Sequence, residues 1–443
     1  MRNALISKIT IAGIMILMVI VVSNLAWNKQ DWKEIIRVDG RGYYAYLPAV
    51  FIYHDLNLGF FNKIEKEKYF SPSNFFDYRT RVNNTYINKY FCGTALAQLP
   101  FFLAAHLWCY LSSGYADGYS MPYMVMISLA ALFYLALGLV FIRKTLILFD
   151  ISELNIVVVL LAVVFGTHIF YYSSCEAGMS HIYSFAFIAI FIYYGKQFFR
   201  LGKPVYILVV AILLGLLTLI RPVNLISVFI LPFLSGGLPS LKAGCRCILK
   251  QKLYFFLGLI IFILLVSVQS ILYRISAGTF FIYSYQKDGF NFLAPHMVNI
   301  LFSYRKGLFL YTPVLFVSLI GEYYMFRKNK FEFYFLFAFL FILTYVLSCW
   351  FQWWYGGSFS SRVYIEYIPL FAILLGIALE KIPLSWLRKL YIGLIFMLII
   401  VCQVQTYQYR YYKIHWSDMT REKYWKVFMR VDQLMISPPE KVQ

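Results

Sequence analysis

The stretch CGTALAQLPFFLAAHLWCYL, residues 92–111, is apolar and long enough to cross a bilayer, and its placement decides the topology of the whole chain. A helix of about 20 apolar residues spans the hydrocarbon core. Counting this stretch as a crossing would reverse the side of every later loop. Its Gln98, Pro100 and His106 are typical of an amphipathic helix at the membrane interface. We therefore predict an interfacial helix here, with a re-entrant hairpin as the alternative.

The composition of the rest of the chain is that of a polytopic membrane protein. Of the 443 residues, 61% are hydrophobic and only 14% are charged, which no ordinary soluble domain matches. We predict an all-α fold of about 11 transmembrane helices in residues 1–406, with a short tail at 407–443. The first loop, 27–120, should face outward and contain interfacial helices. The spans are expected at 7–26, 121–142, 155–171, 181–199, 205–220, 223–235, 253–273, 307–326, 331–350, 363–380 and 390–406.

The distribution of lysine and arginine predicts the orientation, because cytoplasmic loops of membrane proteins carry an excess of both. With the N-terminus inside as a retained signal anchor, the basic loops fall on one side: Arg143 with Lys144, KQFFRLGK, LKAGCRCILKQK, RKNK and EKIPLSWLRK. The first loop, the tail and the six histidines then lie on or near the outer side. Any chemistry is expected there, in the periplasm if the membrane is a bacterial inner membrane.

Several function classes have no support in the sequence. The net charge of +20 largely follows from the loop bias and does not indicate a nucleic-acid partner. The seven cysteines are scattered, so we predict neither a disulfide framework nor a metal site. Walker loops, dinucleotide fingerprints, His-Glu-x-x-His helices and nucleophile elbows do not occur. We expect no cofactor, although a divalent metal remains possible.

Asp39, in the stretch VDGRGYYAYLP (38–48), is the first candidate for chemistry. A carboxylate there can act as a general base on an incoming hydroxyl if burial raises its pKa. The two glycines of the stretch are expected to permit tight turns, while Arg41, Tyr43 and Tyr44 are candidates for a substrate pocket. The alternative is a solvated loop aspartate paired with the neighbouring arginine.

Further ionisable residues lie in the same outer regions. Glu176 and His181 fall at the junction of two spans, where such groups usually mark a pathway or a site. Their spacing is not that of a metal-ligand pair, and a hydrogen bond at a helix end is the alternative. His54 and Asp55 complete the set of candidate pocket residues in the first loop.

Basic residues at the outer ends of apolar segments are candidates for binding a lipid phosphate, because a guanidinium fork matches phosphate geometry. These are Arg221, Arg362, Arg305 and Lys306. Snorkelling to lipid headgroups is the alternative for each of them. Residues 205–235 are expected to break at Pro222, which would place the preceding arginine inside the protein at membrane depth.

The stretch WFQWWYGGSFSSR, residues 350–362, combines aromatic rings with a double glycine. Trp353 and Trp354 could form a wall on which a sugar ring stacks, beside a tight turn. An aromatic belt at the membrane interface is the alternative.

Taken together, these stretches resemble the GT-C superfamily of integral-membrane glycosyltransferases, which includes the protein O-mannosyltransferases and the bacterial aminoarabinose transferases. VDGRGYYAYLPAVFIYHDL (38–56) resembles the first-loop aspartate motif of that superfamily, and LPFFLAAHLWCYLSSGYADGYSMPYMV (99–125) is similar to its juxtamembrane helix. WWYGGSFSSRVYIEYIPLF (353–371) resembles the stretch that precedes a late span in several bacterial members. Only Asp39 maps onto a functional position of the family.

The resemblance implies a polyprenyl-phosphate sugar as donor and a glycan, lipid or protein as acceptor, with inversion at the anomeric carbon. Asp39 would take the proton of the acceptor hydroxyl. Some members place a second acidic residue beside the first, a role that only His54 with Asp55, or Glu176, could fill here. The large soluble C-terminal domain of some relatives has no counterpart in the tail.

A multi-span transporter or flippase of a lipid-linked or small substrate is the main alternative, since many carriers also combine broken helices with buried charge. Against it, we find no internal repeat, and polar residues cluster on one side of the membrane. A scaffold without activity is a further alternative. A polymerase or ligase of O-antigen chains usually has a larger late outer loop than 274–306.

Overall fold

The computed structural model describes residues 5–28, 31–69, 76–112 and 114–432, and within these ranges the chain is predominantly helical. The strands found there form one antiparallel hairpin, β1 (Arg79–Val82) with β2 (Thr85–Asn88). The class of an all-α polytopic membrane protein is therefore confirmed, with this hairpin as a small addition inside the first loop.

The helices differ widely in length. The α-helices of the described residues are α1 (Ile6–Ala26), α2 (Asp39–Phe51), α3 (Gly93–Leu111), α4 (Met121–Leu148), α5 (Glu153–Phe165), α6 (Ile169–Ser174), α7 (Ser180–Leu201), α8 (Val205–Ile220), α9 (Leu231–Ser235), α10 (Leu238–Lys250), α11 (Lys252–Ala277), α12 (Met297–Phe302), α13 (Leu308–Tyr311), α14 (Pro313–Ser318), α15 (Ile320–Lys328), α16 (Lys330–Ser348), α17 (Ile368–Lys381), α18 (Ser385–Arg410) and α19 (Arg421–Val427). Short 3-10 segments form at Asp31–Glu34, Pro222–Ile230 and Arg362–Tyr367, and a π-helical one at Asn62–Lys68.

Eight helices of the described residues are long and apolar enough to cross a membrane: α1, α3, α4, α7, α11, α16, the segment Arg362–Lys381 and α18. All of them except α3 coincide with predicted spans. The predicted count of about eleven is not confirmed, because α5, α8 and the segment Pro222–Ser235 are shorter. The predicted span 307–326 is divided into α13, α14 and α15, and its first break falls at Pro313, which has no backbone N–H to continue the helical ladder.

The decisive stretch 92–111 forms the continuous helix α3 from Gly93 onward, without the reversal that a re-entrant hairpin needs. By length and composition α3 is itself a candidate crossing, so its interfacial placement stays a prediction. Gln98 is fully buried and donates to the Tyr183 hydroxyl of α7 at 3.0 Å. His106 lies 2.6 Å from the Tyr123 hydroxyl of α4. Both polar side chains therefore contact protein side chains, of α7 and α4 respectively.

Two compact units make up the chain. The central unit comprises Gly13–Phe141 and Tyr172–Asp288. Within it, α8 packs against α7 and α11, α2 packs against α3, and β2 contacts α11. The first loop is therefore folded onto the helices of its own unit.

Glycines bring the backbones of the central unit close together. At Gly93, the first residue of α3, an added Cβ would lie 2.3 Å from the backbone nitrogen of Ile220 at the end of α8. At Gly40 in α2, it would lie 3.3 Å from the carbonyl carbon of Gly178. The sequence predicts tight turns at Gly40 and Gly42, and this is wrong, because both lie inside helix α2. Their missing side chains instead permit close approach of neighbouring segments.

The terminal unit comprises Met1–Ala12, Ile142–Tyr171 and Gly289–Gln443. Its centre is α17, which is largely buried and packs against α5, α14 and α15. The described part of the predicted tail also packs on this unit: Tyr424 in α19 is buried, and the Trp425 indole donates to the Tyr304 hydroxyl at 3.2 Å.

We predict that Gly93→Ala destabilises the protein, because the added methyl group meets the backbone of α8, which cannot rotate away. Overpacking of this kind costs about 1–3 kcal/mol. The apparent melting temperature of detergent-solubilised protein, followed by size-exclusion chromatography after heating, should fall. Gly13→Ala in α1 is the matched control, since no atom lies within 4 Å of its added Cβ. Equal melting of the two variants would contradict the proposed contact.

Candidate functional site

Segments of the central unit that are remote in sequence meet at Asp39, the first residue of α2. One carboxylate oxygen of Asp39 accepts a hydrogen bond of 2.7 Å from the Tyr90 hydroxyl, which follows β2. The next residue, Gly40, contacts the backbone of Gly178, in the turn between α6 and α7. The start of α2 is thus in contact with two segments, one from each part of the unit.

The turn at Gly178 leads directly to the next members of the site. His181 at the start of α7 is buried, with its Nδ1 3.4 Å from a guanidinium nitrogen of Arg221. The ring of Tyr172 packs edge-on against His181 at 5.6 Å between centroids. Glu176 is half-buried in the same turn, where its carbonyl accepts the backbone N–H of Met179.

These contacts connect four segments of the central unit in a ring. Its links are Asp39 to Tyr90, Gly93 to Ile220, Arg221 to His181, and Gly178 to Gly40. The sequence singles out the acid, the arginine and the turn as candidates without indicating that they meet. The structure connects the segments that carry them through two side-chain contacts and two close backbone approaches.

The break at Pro222 is confirmed, and it explains the position of Arg221. Helix α8 ends at Ile220, and Arg221 has an extended backbone with φ −149° and ψ 117°. Proline disfavours helical geometry in the residue before it. Beyond the break, the Asn224 side chain donates to the Ser184 hydroxyl at 3.1 Å, which ties the 3-10 segment to α7. Arg221 is therefore held at a fixed point beside α7.

Asp39 is half-buried at the N-terminus of a helix of 13 residues. The helix dipole stabilises negative charge at such an end. The preceding Val38 has a positive φ of 41°, so the chain enters α2 abruptly. This position favours an ionised carboxylate, the form that can accept a proton.

Arg41 has a structural partner other than Asp39. Its side chain is buried, with a guanidinium nitrogen 3.7 Å from Glu65 and another donating to the Tyr69 carbonyl at 3.4 Å. The alternative of an aspartate paired with Arg41 in solvent is therefore wrong for this arginine, since its ionic partner is Glu65.

Glu65 is a buried carboxyl that the sequence does not single out. One oxygen accepts hydrogen bonds from the hydroxyls of Tyr78 and of Tyr119, the latter at 2.7 Å. Burial raises the pKa of Glu65, while the two tyrosines and Arg41 oppose that rise. A cavity of roughly 20 Å³, large enough for a single water molecule, lies beside this cluster. It is lined by Trp32, Lys33, Ile36, Arg41, Tyr44, Tyr69, Tyr119 and Met124.

The other tyrosine candidates of the first loop are buried in the central unit. Tyr44 is fully buried and donates to the Gly118 carbonyl at 2.5 Å, while Tyr43 is buried against the ring of Tyr90 at 4.6 Å. Both rings belong to the core of the unit.

His54 and Asp55 lie beyond the far end of α2, roughly 20 Å along the helix axis from Asp39. The Asp55 carboxylate accepts hydrogen bonds from the backbone N–H groups of Asn57 and Gly59, at 2.9 and 2.6 Å. His54 is exposed, with a positive φ of 51°. This pair forms a helix-ending turn, so neither residue supplies a second acid beside Asp39.

In the terminal unit, Arg305 and Lys306 are engaged within the protein. The guanidinium of Arg305 stacks on the Trp354 ring at 3.6 Å and donates to the Ser417 carbonyl at 2.8 Å. Lys306 is 1% exposed and donates to the Ser358 carbonyl. Snorkelling to headgroups therefore does not describe either residue.

The aromatic and glycine stretch forms the predicted tight turn, with φ of 53° at Tyr355 and 68° at Gly356. Trp353 is buried, and one face of Trp354 carries the arginine described above. The hydroxyls of Ser358 and Ser361 are buried and donate to backbone carbonyls, as Ser361 does to that of Ile300 at 2.9 Å, whereas the buried Ser360 hydroxyl has no hydrogen-bond partner among the described residues. The stretch thus has structural contacts of its own. Arg362 begins the next 3-10 segment and is half-buried.

No family model matches the chain, and no curated protein matches it. Among residues 5–28, 31–69, 76–112 and 114–432, no group of three or more histidine, cysteine, aspartate or glutamate side chains is arranged to hold a metal ion.

We predict that Arg41→Met lowers heat stability, because it leaves the Glu65 carboxyl buried without its cation. Breaking a buried ion pair costs about 3–5 kcal/mol. The double variant Arg41→Met with Glu65→Gln should melt at a higher temperature than Arg41→Met alone, since the buried acid is then neutral. A double variant that loses the sum of the two single losses would show that the pair is not coupled.

Proposed function

We propose that the protein is a membrane glycosyltransferase that transfers a sugar from a polyprenyl-phosphate donor to an acceptor hydroxyl, with Asp39 as general base. The observation that supports the proposal is that contacting segments of the central unit carry Asp39, His181 and Arg221: Gly40 lies against Gly178, and Arg221 lies 3.4 Å from His181. A carboxylate and a guanidinium are the two groups that this reaction needs. One accepts a proton, and the other stabilises a departing phosphate.

In the proposed reaction, the acceptor oxygen attacks the anomeric carbon of the sugar while its proton passes to the Asp39 carboxylate. The bond between the anomeric carbon and the phosphate oxygen breaks, and its electron pair stays on the polyprenyl phosphate. Attack from the opposite face inverts the configuration. Negative charge grows on the leaving phosphate, and fixed donors aimed at that charge lower the barrier. Arg221, held at the helix break, is the donor we assign to this role.

The remaining parts of the proposal follow from the sequence. The acceptor is a glycan, a lipid or a protein outside the cytoplasm, and the membrane is the inner membrane of a bacterium with the N-terminus in the cytoplasm. Arg362, Arg305 and Lys306 belong to the terminal unit, and their part in donor binding stays a prediction.

We predict that Asp39→Asn abolishes transfer of radiolabelled sugar from a polyprenyl-phosphate-sugar pool to cell-envelope acceptors in membranes. Loss of a general base lowers the rate by about 10²–10⁴-fold. Asp31→Asn is the control, because Asp31 is an exposed carboxylate of the same loop. Transfer by Asp39→Asn at the wild-type rate, at equal protein levels, would remove Asp39 from the mechanism. Absence of transfer by the wild type would favour the transporter or flippase instead.

Arg221→Lys keeps the positive charge but loses the planar fork. We predict that it lowers the transfer rate at least about tenfold, since a hydrogen bond to a charged group is worth about 1.5–3 kcal/mol. Arg200→Lys is the matched control, an exposed arginine in the last turn of α7. If Arg221 only holds a lipid headgroup by its charge, the two variants will show the same rate as the wild type.

A further inference from the structure

Several contacts hold Tyr90 beside Asp39. It is 5% exposed, and its hydroxyl donates to Asp39 at 2.7 Å. Its backbone N–H donates to the side-chain oxygen of Asn88 at 3.0 Å, and its carbonyl accepts from the Tyr46 hydroxyl at 2.8 Å. The ring rests on Tyr43. Tyr90 is thus held by contacts to its backbone, its ring and its hydroxyl.

Helix α2 is shaped to receive this ring. An added Cβ at Gly42 would lie 2.3 Å from Cδ2 of Tyr90, so the ring occupies the space that any side chain at Gly42 would need. The Asn88 amide donates to the Gly42 carbonyl at 2.7 Å, while its oxygen holds the Tyr90 N–H. One asparagine therefore fixes the distance between the helix that carries the aspartate and the tyrosine that bonds to it.

The phenol of Tyr90 is the donor in its bond to Asp39. Burial raises the pKa of Tyr90 well above its usual range, and the nearby Asp39 carboxylate raises it further. The hydroxyl therefore keeps its proton at neutral pH. A hydrogen bond donated to a carboxylate favours the ionised form of that carboxylate.

We propose that Tyr90 is the positioning residue of the base: it orients the Asp39 carboxylate and stabilises its ionised form, so that Asp39 is ready to accept the proton of an incoming hydroxyl. The inference rests on the proposed function. Tyr90 itself does not contact the reacting atoms in this scheme. Its effect appears as a change in the pH at which Asp39 becomes active.

The sign of the effect follows from the hydrogen bond. Tyr90→Phe removes the donor, so Asp39 holds its proton to higher pH. The acid limb of the pH–rate profile for sugar transfer should then move upward, while much of the rate on the plateau is kept. A residue that only fills space would lower the rate equally at every pH.

The experiment measures initial rates of sugar transfer between roughly pH 4 and pH 9, a range that covers the titration of the base. Tyr90→Phe should move the acid limb upward by about one pH unit, the size expected for one lost hydrogen bond of about 1.4 kcal/mol. Tyr86→Phe is the matched control, an exposed tyrosine of β2 in the same hairpin, and should leave the limb in place.

A second variant keeps the test decisive if Tyr90→Phe does not fold. Replacement of Tyr90 by 3,5-difluorotyrosine retains the ring and makes the phenol a stronger donor, so the acid limb should move downward. Limbs that coincide with the wild type would overturn the positioning role. That outcome is distinct from failure of the proposed function, in which Asp39→Asn transfers sugar normally or the wild type transfers none.

Discussion

The close contact between the backbones of Gly40 and Gly178 is the constraint on which the candidate site depends. An added Cβ at Gly40 would lie 3.3 Å from the Gly178 backbone, and one at Gly178 would lie 3.1 Å from the Ile36 side chain, so a side chain at either residue would require a small shift of its neighbour. Because Asp39 directly precedes Gly40, this contact fixes the backbone position of Asp39. The contact between Gly93 and Ile220 has the same role for Arg221, which follows Ile220 directly. Main-chain packing therefore places the backbones of both Asp39 and Arg221.

Most of the membrane architecture could be predicted from the sequence, because a long apolar run without charge has few stable conformations other than a helix. The breaks within these helices are harder to predict. Hydropathy averages over 307–326 and conceals its division at Pro313, although a proline within an apolar run is a visible signal for such a break. The same signal at Pro222 predicts the break that the structure contains, with Arg221 immediately before it.

The hairpin of β1 and β2 and the buried Glu65 are two features that are absent from the sequence-based prediction. The run RTRVNNTYIN (79–88) has two asparagines between alternating residues, and both have positive φ in the structure. Asparagine at both central positions is a known signal for a two-residue hairpin turn, so this element could have been found, and with it the position of Tyr90. Glu65 could not, since NKIEKEK reads as a solvated stretch, and only tertiary contacts with Arg41 and the tyrosines bury it.

Positioning by the backbone has a consequence for how charge is used in the central unit. A carboxylate and a guanidinium stabilise a transition state best when they need not reorganise as charge develops. The proline break fixes the backbone of Arg221, and the helix start against Gly178 fixes the backbone of Asp39. Arg305 lies in different surroundings, because its guanidinium stacks on Trp354 and donates to the Ser417 carbonyl. Both arginines stand at the ends of apolar segments in the sequence, and only the structure shows that one lies against Trp354 and the other against His181.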